Sequence, residues 1–347
     1  MTAETASVLR PMRVVELLDA AFRLYRRNFW TFVGIMALVQ IPVSLLSMAP
    51  SMLMLQGIDA TDMSQLSIEY FLGLGLTFVL ALVQFLLISG VATLALTRAI
   101  LSTYLGEKIG VLESFQKIWP LLGRFLIVLV LIGLITVGLY IWTLVPCIGW
   151  LSGPGILLTV AMAITPLAAP IVILENHGAT ATISRVWDLV RRRFWWLIGL
   201  MSILYLFNLA LVGPAALFSV FSTSASESIF GFTSMADRTL ISTIVQTLVG
   251  VLASVLYLPL QFTVIVLAYF DIRARTEGID LFFNAAQGEG QPLGMAQIAE
   301  MPMVSYSTQT ITGSEIGYFI ILTLVVILLY ALLFGAILLF SAGSLML

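Results

Sequence analysis

The chain has 347 residues, 60% of them hydrophobic and 10% charged, with a formal net charge of −2. A water-soluble domain is about 25% charged, so a soluble fold is excluded, and without a basic domain nucleic acid is not an expected partner. The single cysteine, Cys147, and the single histidine, His177, leave no internal disulfide and no thiol-based metal site.

In chain order, the first expected element is an amphipathic helix near 12–28, with Pro11 in its first turn. Val14, Leu18, Phe22 (or Ala21), Tyr25 and Phe29 recur at three- and four-residue steps and define its apolar face. Asp19 and Arg23 stand four apart in the favoured acid-to-base order. A span near 30–54 follows; the long charged lead and Pro50 after Ser47-Met48-Ala49 read as a retained helix and not as a cleaved signal. A second span is expected near 72–97 and a second interfacial helix near 107–122, with Glu113 and Lys117 as its ion pair.

Between Arg124 and Glu175 lie fifty residues without one charge or histidine. As a single helix they would run roughly 75 Å, more than twice a bilayer core. They therefore fold back at Pro146-Cys147-Ile148-Gly149 into spans near 125–145 and 151–174, and Gly149-x-x-x-Gly153 permits close helix contact. Glu175-Asn176-His177 reads as a solvated loop. A third interfacial helix is expected near 180–193, capped by Thr180 or Thr182 and paired through Asp188 and Arg192. Spans near 195–220 and 240–269 complete a six-span domain over 1–281. Residues 282–314 are rich in Gly, Gln, Pro, Ser and Thr and read as a flexible linker, ahead of an added seventh helix within 315–347.

Three units thus share one plan, an interfacial helix followed by a membrane hairpin. Aligning Phe29 with Phe194 sets Phe22 on Trp187, Leu24 on Leu189, Arg26-Arg27 on Arg191-Arg192 and Trp30 on Trp195. Fifteen of the sixteen Lys and Arg residues fall on one side of alternating spans, Arg238 being the other. That asymmetry puts the N-terminus in the cytoplasm and the C-terminus outside.

Arg10-Pro11, Val14-x-Glu16-Leu17-Leu18-Asp19 and Ala21 through Phe29 resemble the opening of bacterial proteins that carry a glycerophosphoryl diester phosphodiesterase membrane domain. Pro170 to Glu175 and Tyr269 to Leu281 are similar to that family's middle and closing motifs. The resemblance covers about residues 10–281 and implies a bacterial inner-membrane, multi-pass protein. Members fused to a soluble barrel hydrolyse phosphodiesters with paired histidines, carboxylates and a divalent metal. One histidine and no room for the barrel mean that this activity is not carried over, so no enzyme, cofactor or catalytic residue is expected.

Within the spans the polar side chains are Gln40, Gln84, Asn208, Gln246 and Gln261, read as interhelical hydrogen bonders. Pro42, Pro166, Pro170, Pro214 and Pro259 are read as kinks. Arg23, Arg26, Arg27, Arg191, Arg192 and Arg193 are the candidate contacts to anionic headgroups or a partner. Asp271, Arg273, Arg275 and Glu277 form a candidate docking motif, in which Asp271 or Glu277 pairs with an arginine of 23–27 or 191–193. The expected role is a non-enzymatic organiser of membrane or partner proteins, with a membrane-protein partner held through 315–347. The alternative is a lipid-handling protein or transporter.

Overall fold

The computed structural model describes residues 11–50, 68–175, 177–230, 235–281 and 312–344. These are helical apart from short turns, and seven helices are long and apolar enough to cross a membrane: Phe29–Pro50, Tyr70–Tyr104, Val111–Thr143, Ile148–Leu174, Phe194–Pro214, Thr243–Glu277 and Gly313–Leu332. The protein is an all-α, multi-span membrane protein. Each expected span falls on one of these helices. Arg10, Asp59, Asp62 and the linker over 282–311 lie outside the described residues, as do the side chains of Glu227, Asp237 and Arg238.

The helices are α1 (Val14–Arg27), α2 (Phe29–Leu46), α3 (Ile68–Gln84), α4 (Thr93–Tyr104), α5 (Val111–Thr143), α6 (Ile148–Thr159), α7 (Thr165–Leu174), α8 (Ala179–Arg192), α9 (Phe194–Phe230), α10 (Met235–Glu277) and α11 (Gly313–Ser344). Two π-helical stretches, Phe85–Ala92 and Val160–Ile164, join α3 to α4 and α6 to α7. Thr93 and Thr165 follow them, and each hydroxyl donates to the carbonyl five residues back, Ile88 and Val160, at 3.0 and 2.9 Å. In α10, which carries Pro259, Thr263 donates instead to Pro259 O at 2.7 Å.

The protein interior is built at one end, here the basic end. Leu94 to Leu101, Leu167 to Leu174 and Val264 to Ile272 are almost wholly buried. These are the basic-end halves of the second, fourth and sixth spans. The far halves expose Phe71, Phe78, Leu134, Tyr140, Leu206 and Leu209, as a surface solvated by hydrocarbon allows. Crossing hydrogen bonds hold α10 at the centre. Tyr25 donates to Leu256 O at 3.0 Å, Tyr257 donates to Leu204 O at 2.8 Å, and the Gln40 amide reaches Ser254.

The three segments expected at the interface begin alike. Arg13, Gly110 and Gly178 precede them in extended backbone, with ψ of 158°, 167° and 164°. Glu16 and Glu113 each reach back to accept the backbone N–H of Arg13 and Gly110, at 3.2 and 3.4 Å, satisfying a donor the helix start leaves open. Pro11 lies before α1 and not in its first turn. Gly178 is the cap of α8, and neither threonine serves; Thr182 donates back to Gly178 O.

They end differently. The chain breaks at Asn28 (φ −123°) and at Arg193 (φ −136°), so α1 and α8 are separate helices. The segment expected near 107–122 is no separate helix, because α5 runs unbroken from Val111 to Thr143. No residue leaves helical geometry at Gly123 or Arg124, and Pro120 removes only one intrahelical hydrogen bond. On α1 the buried face is Leu17, Ala21 and Tyr25, while Phe22 points outward at 41% exposure; of the two alternatives for that position, Ala21 is the one that packs.

At the far end of the central hairpin, Cys147 has φ 65° and ψ −68°, and Ile148 N–H donates to Pro146 O at 2.8 Å. This is a tight three-residue γ-turn. Gly149 and Gly153 let α6 return against α5: a Cβ at either would lie within 2.3 Å of Trp142 O or Thr143 Cγ2.

Candidate functional site

The charged residues at the basic end converge into a buried network. Glu175 ends the fourth span with its side chain fully enclosed. Arg185 projects inward from α8 and donates through Nε to Glu175 Oε2 at 2.8 Å. Its Nη2 lies 2.7 Å from Glu277 Oε1. Arg273, one turn before Glu277 on α10, donates through Nε to Glu277 Oε2 at 2.8 Å and through Nη1 to the Tyr269 hydroxyl at 2.8 Å. Tyr269 in turn donates to Glu175 Oε1 at 2.8 Å. Arg192 Nη1 approaches Glu277 Oε1 at 3.5 Å and His177 Nε2 approaches Glu175 Oε2 at 3.6 Å.

Three guanidiniums therefore face two carboxylates, and every carboxylate oxygen accepts from at least one donor. Burial pulls the Arg185 guanidinium toward deprotonation, but the hydrogen bonds and charges of Glu175 and Glu277 outweigh it and hold its pKa above the usual arginine value. Such a cluster is stable only when its charges are paired and its hydrogen bonds satisfied, and the two carboxylates meet both conditions.

A second group lies alongside. Asp271 accepts from Arg193 Nη1 at 2.9 Å, from Arg275 Nε at 3.1 Å and from the Met12 backbone N–H at 2.7 Å. Arg275 also donates to Met12 O at 2.8 Å. Asp271 and Arg275 thus grip both backbone groups of one residue before α1, and tie the start of the chain to the end of α10. Burial, then the nearby Arg275, lower the Arg193 pKa from its usual value, while Asp271 raises it. Arg193 also stacks over Trp196 at 4.6 Å.

The docking motif of Asp271, Arg273, Arg275 and Glu277 is thus assembled with Arg192 and Arg193, two of the arginines singled out in sequence. Asp188 pairs with Arg191 at 2.6 Å, one residue nearer than the spacing of Asp188 and Arg192 had suggested. Arg192 turns instead to Glu277. Arg23, Arg26 and Arg27 take no part and stand exposed on α1. The solvated loop expected at Glu175 is a correction: its carboxylate is the hub of the network, because Tyr269, Arg185 and Arg273 converge where the fourth span ends. Arg185 and Tyr269 are the other members that sequence reasoning missed. Arg185 had one signal, an isolated acid at the end of a charge-free span, which needs a buried cation nearby.

The seventh span is a built part of the molecule. Tyr318 stacks on Phe194 (5.0 Å between centroids) and meets Trp195 edge-on, and Phe319 lies against Trp187 at 6.0 Å. Deeper in, Gly155 N–H donates to Thr323 Oγ1 at 2.9 Å, and a Cβ at Gly155 would fall 2.0 Å from Phe319 O. Glu315 caps α11 by accepting from Thr312 N–H at 2.8 Å.

No protein-family model, curated protein or solved structure matches this chain.

Proposed function

We propose that this chain is a non-enzymatic organiser of membrane proteins: a six-span body that holds further transmembrane helices against its sides. The seventh helix carries this reading. It reaches the body from beyond a linker of about thirty residues, yet docks through a backbone-to-backbone approach at Gly155 and an aromatic stack on Phe194. Beyond Thr323, α11 exposes Leu324, Ile327, Leu328 and Tyr330, a face open to a partner span. The ion network supports the same role, since carboxylates fully occupied by guanidiniums act as a clamp.

The body is read as three copies of one helix-plus-hairpin unit, supported by the matching starts at Arg13, Gly110 and Gly178 and the matching breaks at Asn28 and Arg193. The basic end is read as cytoplasmic, in a bacterial inner membrane, with the C-terminus outside. We place the chain in the glycerophosphoryl diester phosphodiesterase membrane-domain family on its opening, middle and closing motifs.

A lipid-handling or transport role is the second reading. It draws on the π-helical stretches in the second and fourth spans, with Pro259 in the sixth; such departures from α-helical geometry often mark moving or binding elements. Native mass spectrometry of the protein in detergent-free discs cut from its own membrane separates the two. A protein partner at fixed stoichiometry, lost when the chain is truncated after Leu281, is the expected result. Monomers in every preparation, with a retained lipid and lipid movement in vesicles, would overturn the organiser reading in favour of lipid handling.

A further inference from the structure

The arginines of α1 and α8 are equivalent in sequence but have different fates. On α8, Arg185, Arg191, Arg192 and the following Arg193 are all turned to acids of the protein, namely Glu175, Asp188, Glu277 and Asp271. On α5, Lys117 is paired with Glu113 at 2.8 Å. On α1, Arg23, Arg26 and Arg27 are exposed, and among the described residues none is in an ion pair with the protein. At 100° per residue they fall within a sector of about 100° centred opposite Ala21, the middle of the buried face. The acids of α1, Glu16 and Asp19, lie in its first half, and the three arginines lie in its last two turns.

The position of this patch identifies its counterpart. The chain continues from α1 into the first span with one non-helical residue between, Asn28. A span that begins at Phe29 sets the last turn of α1 beside the boundary where hydrocarbon gives way to headgroups. Apolar aromatics flank the arginines: Phe22 on the side of α1, and Trp30 in the first turn of the span at 82% exposure. Cations above an exposed indole and a phenyl ring match the layered chemistry of a phospholipid leaflet, phosphate over acyl chain.

We infer that the outward face of α1 is a binding surface for anionic phospholipid headgroups, with Arg23, Arg26 and Arg27 on the phosphates and Phe22 and Trp30 in the acyl boundary. Binding here is independent of the partner reading above. The matching helix of the third unit, α8, is locked to the protein interior, so the molecule meets anionic lipid through one of its related helices. Each arginine near an anionic surface is worth about fivefold in affinity, so three together give an upper bound of about a hundredfold, reduced by salt.

The test uses the full chain in nanodiscs of mixed phosphatidylcholine and phosphatidylglycerol, with retained lipids identified by native mass spectrometry. Wild type is compared with Arg23→Gln/Arg26→Gln/Arg27→Gln, with the corresponding Arg→Lys triple, and with Lys108→Gln/Lys117→Gln as a control for basic charge elsewhere on the same end. We expect the preference for phosphatidylglycerol to fall by tenfold or more in the glutamine triple and to persist in the lysine triple and the control. The three single glutamine variants, each expected to lose about fivefold, carry the test if the triple does not fold. An unchanged preference in the glutamine triple overturns the inference, as does an equal fall in the control. Displacement of the lipid by inorganic phosphate would assign the surface to a soluble anion instead. Capture of an acidic peptide that phosphatidylglycerol fails to displace would assign it to a protein.

Discussion

Replacing Glu175 by glutamine is the sharpest test of the buried network. The change is nearly isosteric, but it moves the cluster of Arg185, Arg192, Arg273, Glu175 and Glu277 from a net charge of +1 to +2 in a site closed to water. Charges about 4 Å apart attract by about 4 kcal/mol at an effective dielectric of 20, and removing one partner of a buried pair costs about 3–5 kcal/mol in practice. Glutamine keeps one acceptor, for the Tyr269 hydroxyl or for Arg185 Nε but not for both, so a loss of about 3–4 kcal/mol is expected. Alanine, which also strands Tyr269, should approach 5.

The assay is reversible unfolding in mixed micelles, followed by tryptophan fluorescence. Glu113→Gln is the internal control, because its pair with Lys117 is exposed and should give no resolvable change. The double variant Glu175→Gln/Arg185→Gln should recover part of the loss, with a coupling energy of about 1–3 kcal/mol. A loss below about 1 kcal/mol for Glu175→Gln, or strictly additive single variants, would show that the network is hydrated and would refute the clamp.

Other substitutions probe the rest of the molecule. Gly155→Leu has no room beside Phe319 O; it should cost about 1–3 kcal/mol and open the aromatic stack on Phe194, read as loss of a disulfide engineered between α6 and α11, whereas Gly199→Ala, which meets nothing within 4 Å, should be silent. Cys147→Gly should raise stability by about 1 kcal/mol by relieving the positive φ; a lower midpoint in the same unfolding assay would contradict the γ-turn. Asp271→Asn should loosen the grip on Met12 and speed tryptic cleavage after Arg13, and an unchanged cleavage rate would show that Arg275 alone suffices. Burial raises the Tyr25 pKa above its usual 10, so the stability it lends is complete below pH 10 and is lost as pH climbs through the folded value; Tyr25→Phe should flatten that alkaline limb of the stability profile.

Composition and charge runs were enough to read the membrane spans, because a bilayer demands about twenty apolar residues in a row and the chain supplies seven such runs. The hairpin turn was legible for the same reason: fifty apolar residues cannot cross once. The ends of the interfacial segments were not. Asn28 and Arg193 break the chain while Gly123-Arg124 does not, and glycine would be the usual breaker; the outcome follows from how each segment packs on α10 and α7, which no local pattern states. Glu175 was misread because a lone acid after a span resembles a loop until Arg185, ten residues on, is folded back beside it. Tyr269 gave no signal at all, being one aromatic among many.

The contrast between α1 and α8 shows why runs of arginine in membrane proteins resist reading from sequence. Arg26-Arg27 and Arg191-Arg192 occupy matching places, before matching breaks and matching Phe-Trp pairs. What separates them is the acid supply of the neighbouring span. Facing α8, the sixth span offers Asp271 and Glu277, both fully or nearly enclosed, and desolvated guanidiniums must take those partners. Facing the last turns of α1, the same span offers the Leu256 carbonyl, which Tyr25 fills, and Asp271 is already spent on Met12, Arg193 and Arg275. With Asp271 and Glu277 so occupied, the α1 arginines remain on the outer face, where the inferred lipid phosphates would meet them. Moving one buried carboxylate would therefore change which helix meets the membrane and which locks the fold.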